Sequence, residues 1–269
     1  MKNPIIMFKY LFPVLFFATA CSSNEDLTKY DEKAPVVAVL ANEAEMDARR
    51  TEIVSIVAKS GLVASSLYFA KPDGGESIQV DGHMDEKNTI LKLEEFFNEG
   101  NGKSSGRRIY YLNNGKPFLI HEEFDDVSGT KPQFRDRITY YNESGKALKT
   151  KERYADYQDV SESLAYKPAP LHALNIDKVM RVLNQEGEFQ TTFQGFIHAD
   201  VLSYLSVGEN DPDGFHSQLR LDFKDPLVMA LSANEEGYKG ILLRVNYQKE
   251  HDSNGFEYQV YGGGKFADE

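Results

Sequence analysis

The chain has 269 residues, a formal net charge of −12 and a single cysteine. This acidity argues against nucleic acid as a partner, because phosphate backbones repel an acidic surface. One cysteine also excludes a disulfide within the chain. With 15 tyrosines, 17 phenylalanines and no tryptophan, the composition favours a mainly β protein over a helical bundle.

The first twenty residues have the pattern of a secretory signal. Basic residues precede the apolar run 10–17, and the small residues Ala18-Thr19-Ala20 lead directly to Cys21. A transmembrane helix needs about 20 apolar residues, so this run fits a cleaved signal better. A plain signal peptide followed by a chance cysteine is the alternative. The sequence therefore predicts a signal peptide over residues 1–20.

The segment Ala18-Thr19-Ala20-Cys21 resembles the lipobox of bacterial lipoproteins, with Ala18 where leucine is preferred. The resemblance implies that Cys21 begins the mature chain and carries a diacylglyceryl group, often with a third acyl chain. Two or more acyl chains anchor a protein stably, so the membrane is the expected partner of Cys21.

The acidic pair Glu25-Asp26 resembles the export signal of Bacteroidota-type surface lipoproteins. An ordinary solvated tether is the alternative interpretation of the same residues. We predict a flexible tether over 21–40 and a location at the outer membrane, on its periplasmic or its surface-exposed face.

Residues 41–160 are predicted to form a helix followed by an antiparallel β-meander. Asn42 and Glu45 have the spacing of a capping box, and Gly61 is a helix stop signal. The alternative is that residues 51–58, which are rich in β-branched side chains, already form a strand.

From residue 62 the apolar period changes to two, which indicates strands. Two segments, 108–124 and 137–154, form a weak repeat of strand, tight turn and returning strand. The turns contain Gly115-Lys116 and Gly145-Lys146, and the glycines supply the positive φ that hairpin turns require. We interpret the lysines as solvated charges at the loop tips.

Residues 161–187 are predicted to be a linker with two prolines and a short helix capped by Asn175. Residues 188–269 have the element order β-β-β-α-β-β, which is similar to an OB-fold barrel. Gly195 could ease the coil of a long first strand. The resemblance implies a small OB-like five-stranded barrel, and we expect it to fold on its own.

Such barrels often bind oligonucleotides or oligosaccharides. Residues 188–269 carry 14 acidic and six basic residues, and this charge is of the wrong sign for a groove that binds nucleic acid. The aromatic side chains of the segment are therefore interpreted as barrel core and ordinary strand faces.

The sequence contains no recognisable catalytic or metal-binding motif. No histidine pair has zinc-site spacing, and the loops 81–86 and 209–214 are interpreted as solvated turns, not as metal or calcium sites. Glu94-Glu95 and Glu122-Glu123 should point to opposite faces of their strands, so neither pair can act as a general acid and base. We predict no catalytic residue, cofactor or metal, and Cys21 is the one predicted site residue.

These patterns predict a mainly β (α+β) protein that is lipid-anchored in the cell envelope. Its expected role is non-enzymatic binding or scaffolding at the outer membrane, with an envelope protein or a glycan as partner. The alternative is an envelope hydrolase, or an inhibitor of one, acting on peptidoglycan or glycans, because a site assembled from distant residues leaves no local pattern.

Overall fold

The computed structural model describes residues 40, 42–72, 74–255 and 257–268. The chain divides into two units, 1–36 and 37–269, and all of the described residues belong to the second. The predicted signal peptide, Cys21 and the predicted tether up to residue 39 lie outside the described residues.

The described chain is mostly β, as predicted. Its helices α1 to α5 are, in chain order, Glu43–Ser60, Gln158–Glu162, Asp177–Asn184, Pro226–Ala233 and Glu235–Tyr238, with a 3₁₀ helix at Gly187–Phe189. Its strands β1 to β14 are, in chain order, Leu62–Ser65, Phe69–Ala70, Ser77–Met84, Ile90–Asn98, Ser105–Asn113, Lys116–Asp126, Gln133–Tyr141, Ala147–Ala155, Lys167–Ala169, Thr192–Ala199, Leu202–Gly208, His216–Arg220, Leu243–His251 and Glu257–Phe266.

Helix α1 begins and ends where the capping pattern predicts. The Glu45 backbone N–H donates to Asn42 Oδ1 at 3.0 Å, and Gly61 forms the C-cap. The alternative of a strand over 51–58 is wrong, because these residues continue the helix.

Strands β2 to β9 form the predicted antiparallel meander, each paired with the next in the chain. The meander extends into the predicted linker, because β9 pairs with β8 through Thr150 and Ala169. Pro168 is tolerated there since β9 lies at the edge of the sheet. Helix α3 is the predicted short helix of this linker, but its N-cap is Ile176 and not Asn175 as predicted. Asn175 Oδ1 still accepts a hydrogen bond from the Asp177 backbone N–H.

The C-terminal strands belong to the same large mixed sheet, which is not closed into a barrel. Strand β11 pairs with β10 and with β12, both antiparallel. Strand β12 also pairs with β2, again antiparallel, and with β14, in parallel. Strand β13 forms a hairpin with β14, and one bridge joins Thr192 to Leu242 just before β13. Helix α4 lies between β12 and β13, as predicted.

Two hydrophobic clusters pack on the sheet. Helix α1 contributes Met46, Ile53 and Val57 to one of them, which also contains side chains of β4 to β7. The other cluster joins the meander to the C-terminal strands: the Phe69 and Phe189 ring centroids are 5.3 Å apart, and those of Phe189 and Phe215 are 4.8 Å apart. The predicted segments 41–160 and 188–269 therefore share one core.

Candidate functional site

A row of alternating charges crosses five adjacent strands of the meander. Glu95 of β4 pairs with Arg108 of β5, which pairs in turn with Glu122 of β6. Glu122 pairs with Arg137 of β7, and Arg137 pairs with Glu152 of β8. Directly opposite residues of an antiparallel pair lie on the same face. We call these five residues the charge ladder.

The charge ladder neutralises two buried carboxylates. Arg108 lies 3.1 Å from Glu95 and 3.3 Å from Glu122, and Arg137 lies 3.6 Å from Glu122 and 3.3 Å from Glu152. Glu95 and Glu122 are both buried, and buried carboxylates need such partners because the loss of hydration is costly. The ladder therefore leaves neither buried carboxylate without a partner.

Glu95 also accepts a hydrogen bond from the Tyr110 hydroxyl at 2.6 Å. Burial, together with the negative charge of Glu95, raises the pKa of Tyr110 far above its usual value, so this phenol stays protonated. The guanidinium of Arg108 stacks over the Phe97 ring at 3.6 Å and covers it from solvent.

The adjacent carboxylates point to opposite faces, as predicted. Whereas Glu95 joins the charge ladder, Glu94 lies 3.2 Å from His83 and 3.0 Å from Lys92. The hydrogen bond from His83 lowers the pKa of Glu94 to about 2, although burial opposes this. His83 is thus a partner of Glu94 within an ion-pair cluster.

A second cluster, which the sequence did not predict, forms around the buried Asp136. Its Oδ1 lies 2.8 Å from His121 Nε2 and accepts a hydrogen bond from the Tyr166 hydroxyl at 2.7 Å. Its Oδ2 accepts from Arg153 Nε at 2.8 Å. Burial alone would raise the pKa of Asp136, but the hydrogen bonds from His121 and Tyr166 hold it below its usual value.

His121, Glu123 and Asp136 could each offer one atom to a metal ion, and these atoms lie within 4.8 Å of one another. The donor set fits a cation poorly, however. Arg153 already pairs with Asp136 and Arg107 with Glu123, so a divalent ion would lie next to two guanidinium groups that repel it. The cluster instead links β6, β7 and β8 to the segment that carries Tyr166.

The loop 209–214 is a turn between β11 and β12, as predicted, whereas residues 81–84 of the other predicted turn, 81–86, belong to strand β3. The Gly214 backbone N–H donates to the Asp211 carbonyl at 2.9 Å, and the Asp213 N–H donates to Asp211 Oδ1 at 3.0 Å. These bonds are typical of an Asx-type turn.

A shallow cavity of about 200 Å³ lies between the two Gly-Lys turns. Asn113, Asn142, Phe118 and Leu40 are among the residues that line it, and Lys116 Nζ reaches the Glu143 carbonyl at 3.4 Å across the turns. Pockets for drug-sized ligands are larger, at roughly 300–1,000 Å³. This cavity could therefore take only a small group, such as one unit of a larger ligand.

Adjacent charged residues that recur in successive strands are the sequence pattern from which the charge ladder and the Asp136 cluster could have been predicted. Four such pairs face one another at both positions: Arg107-Arg108, Glu122-Glu123, Asp136-Arg137 and Glu152-Arg153. In the fifth pair only Glu95 lies opposite an arginine, Arg108, because Glu94 lies opposite Ile109. Tyr166 has no comparable signal, since it comes from the connection between β8 and β9.

Comparisons with known proteins assign no family. The chain matches no protein-family model, no curated protein and no solved structure. Among the described residues, no helix combines the length and the apolar character needed to cross a bilayer.

Proposed function

We propose that this protein is a lipid-anchored cell-envelope protein, held at the outer membrane through Cys21, with a non-enzymatic binding or scaffolding role. The observation that carries the proposal is the segment Ala18-Thr19-Ala20-Cys21 after a short apolar run, with Cys21 the only cysteine of the chain. Each buried CH₂ of an acyl chain contributes about 0.8 kcal/mol, so two or three chains give stable attachment.

The charge ladder and the Asp136 cluster argue against acid–base catalysis by their buried carboxylates. A general acid or base must exchange a proton with its substrate. The buried carboxylates Glu95, Glu122 and Asp136 are instead held by arginine, tyrosine or histidine side chains. These three carboxylates are therefore poor candidates for the general acid or base of the alternative, a hydrolase that acts on peptidoglycan or glycans; a hydrolase inhibitor is not affected by this argument.

The C-terminal part is proposed to be an OB-like unit. In support, the strands pair in the order β10-β11-β12-β14-β13, with β12 and β14 parallel, and the bridge from Thr192 to Leu242 links the two ends. The net charge of −12 argues against nucleic acid as its ligand. An envelope protein or a glycan is the proposed partner.

Metabolic labelling with an alkyne fatty acid tests the anchor. Wild-type protein should take up the label and fractionate with the outer membrane, whereas Cys21→Ser should take up none. Absence of label on the wild-type protein would disprove the anchor.

The non-enzymatic role has a separate test. Purified full-length protein should release no soluble fragments from peptidoglycan, and it should retain a protein or glycan when it is used to capture partners from solubilised envelope. Turnover of peptidoglycan would favour the hydrolase.

A further inference from the structure

We propose that the tip of the β10–β11 hairpin inserts into the interfacial layer of the membrane. The occupant of this surface is a lipid bilayer, and the contact would be a second attachment beside the acyl chains. The inference rests on the lipid anchor proposed above, which brings the folded part close to a bilayer.

The tip combines exposed apolar side chains with one exposed carboxylate, that of Asp200 in the turn. Val201, in the turn, is 96 % exposed, and Ile197 and Leu202 are 39 % and 42 % exposed. Large apolar side chains that cluster at the surface of a protein mark sites of interaction. A narrow hairpin end offers little area to a protein partner, but it can enter the boundary between headgroups and acyl chains.

The hairpin is amphipathic at this end. Ala199 pairs with Leu202 and Ile197 with Tyr204, so these four residues lie on one face. The opposite face carries His198, whose Nδ1 lies 2.9 Å from Ser203 Oγ. The polar face is thus hydrogen-bonded within the hairpin, whereas the apolar face is exposed.

Aromatic side chains lie at the same end of the sheet. Tyr204 is one step behind the apolar tip. Strand β12 runs towards the tip, and the Leu221 backbone N–H donates to the Ser203 carbonyl at 2.8 Å. Phe223, just beyond, is partly exposed. Aromatic rings in this position suit the headgroup region of a bilayer, because one side of the ring can contact acyl chains while the other side contacts water.

Residues 22–39 separate Cys21 from Leu40, and a fully extended chain spans at most about 3.3–3.6 Å per residue, or roughly 60 Å here. This length is the upper limit on how far an acyl anchor at Cys21 could hold Leu40 from the bilayer.

The absence of tryptophan gives a direct test. Val201→Trp places one fluorophore at the tip, and Tyr157→Trp places one at another site that is 70 % exposed. Each acylated full-length protein is reconstituted into phosphatidylcholine vesicles, with and without brominated acyl chains. An interfacial residue lies about 5–10 Å deep, so the Val201→Trp protein should show blue-shifted emission and strong quenching by bromine. The Tyr157→Trp protein should show neither.

A second set of variants tests the apolar face. In the Val201→Trp background, Leu202→Asp should remove most of the quenching, whereas Leu148→Asp, at an exposed position on β8, should leave it unchanged. Protein that floats with the vesicles while the tip fluorophore and the control fluorophore behave alike would overturn the proposal. Protein that fails to float would instead contradict the acyl anchor, so the two failures are distinguishable.

Discussion

At the scale of single residues, local backbone geometry decides the two repeated turns. Gly115 has a φ of 74° and Gly145 a φ of 79°, which confirms the predicted left-handed positions. No atom lies within 4 Å of the place that a Cβ would occupy at either glycine. A larger residue at either position would therefore lower the stability of the protein through backbone strain and not through a steric clash.

Gly115→Val and Gly145→Val should each lower the free energy of unfolding by about 1–3 kcal/mol, since a β-branched residue is strained at positive φ. Lys116→Ala and Lys146→Ala should each change it by less than about 0.5 kcal/mol. Urea denaturation of the four variants provides the measurement. If the glycine variants kept the wild-type stability and the lysine variants lost stability, the Gly-Lys pairs would be a recognition element and not simple turns.

Glu94 should make stability depend on pH in a defined window. Its pKa is about 2 in the folded protein, against an ordinary value of 4.5. Because the folded pKa is the lower one, the ionised carboxylate stabilises the protein above about pH 4.5, and this contribution is lost as the pH falls towards 2. Wild-type protein should thus be more stable than Glu94→Gln at pH 7, and the difference should disappear near pH 2.

Urea denaturation of both proteins between pH 7 and pH 2 would measure this difference. Glu86→Gln is the control, because the Glu86 side chain is 73 % exposed and 3.7 Å from Lys59. A difference for Glu94→Gln that stays constant over the whole range would show that its carboxylate is not the titrating group.

At the scale of elements, a shift in strand register decides which residues form the charge ladder. If the hairpin kept a regular register from the Asn114-Gly115 turn onwards, Arg108 would lie opposite His121. The structure pairs Arg108 with Glu122, because the register shifts between Tyr111 and Leu112. A one-residue shift moves a side chain to the other face. The second hairpin has an equivalent shift between Tyr140 and Tyr141.

Removal of one buried member of the charge ladder should therefore be costly. Glu122→Ala should destabilise the protein by about 3 kcal/mol, because Arg108 and Arg137 lose a shared buried partner. Glu86→Ala, at an exposed ion pair, should cost less than about 1 kcal/mol. Thermal unfolding measures the loss of stability in both variants. Equal losses would mean that the charge ladder is exposed to solvent.

At the scale of the whole molecule, the shared core couples the meander to the C-terminal strands. Besides the rings of Phe69, Phe189 and Phe215, the buried Gln259 accepts from the Tyr68 backbone N–H at 2.9 Å and donates to the Ser66 carbonyl at 3.2 Å. The element order suggested a C-terminal barrel that folds on its own. The shared contacts argue against such independence.

A fragment of residues 188–269 should accordingly show no cooperative melting, because it exposes the side of its core that covers Phe69. A fragment of residues 37–269, which retains the whole second unit, should melt in one transition. Differential scanning calorimetry distinguishes the two outcomes. A sharp transition for the shorter fragment would show that residues 188–269 fold on their own.

The sequence by itself determined the features that depend on neighbouring residues. These include the cap of α1 at Asn42, the turns at Gly115 and Gly145, and the alternation that directs Glu94 and Glu95 to opposite faces. Each of them follows from the backbone preferences of a few consecutive positions.

Only the tertiary structure decided which distant residues meet. The charge ladder depends on two register shifts, the Asp136 cluster depends on a loop that returns with Tyr166, and the common core depends on the pairing of β2 with β12. Contacts of this kind are set by the packing of the whole sheet. No short segment of the sequence encodes them, because the partners lie far apart in the chain.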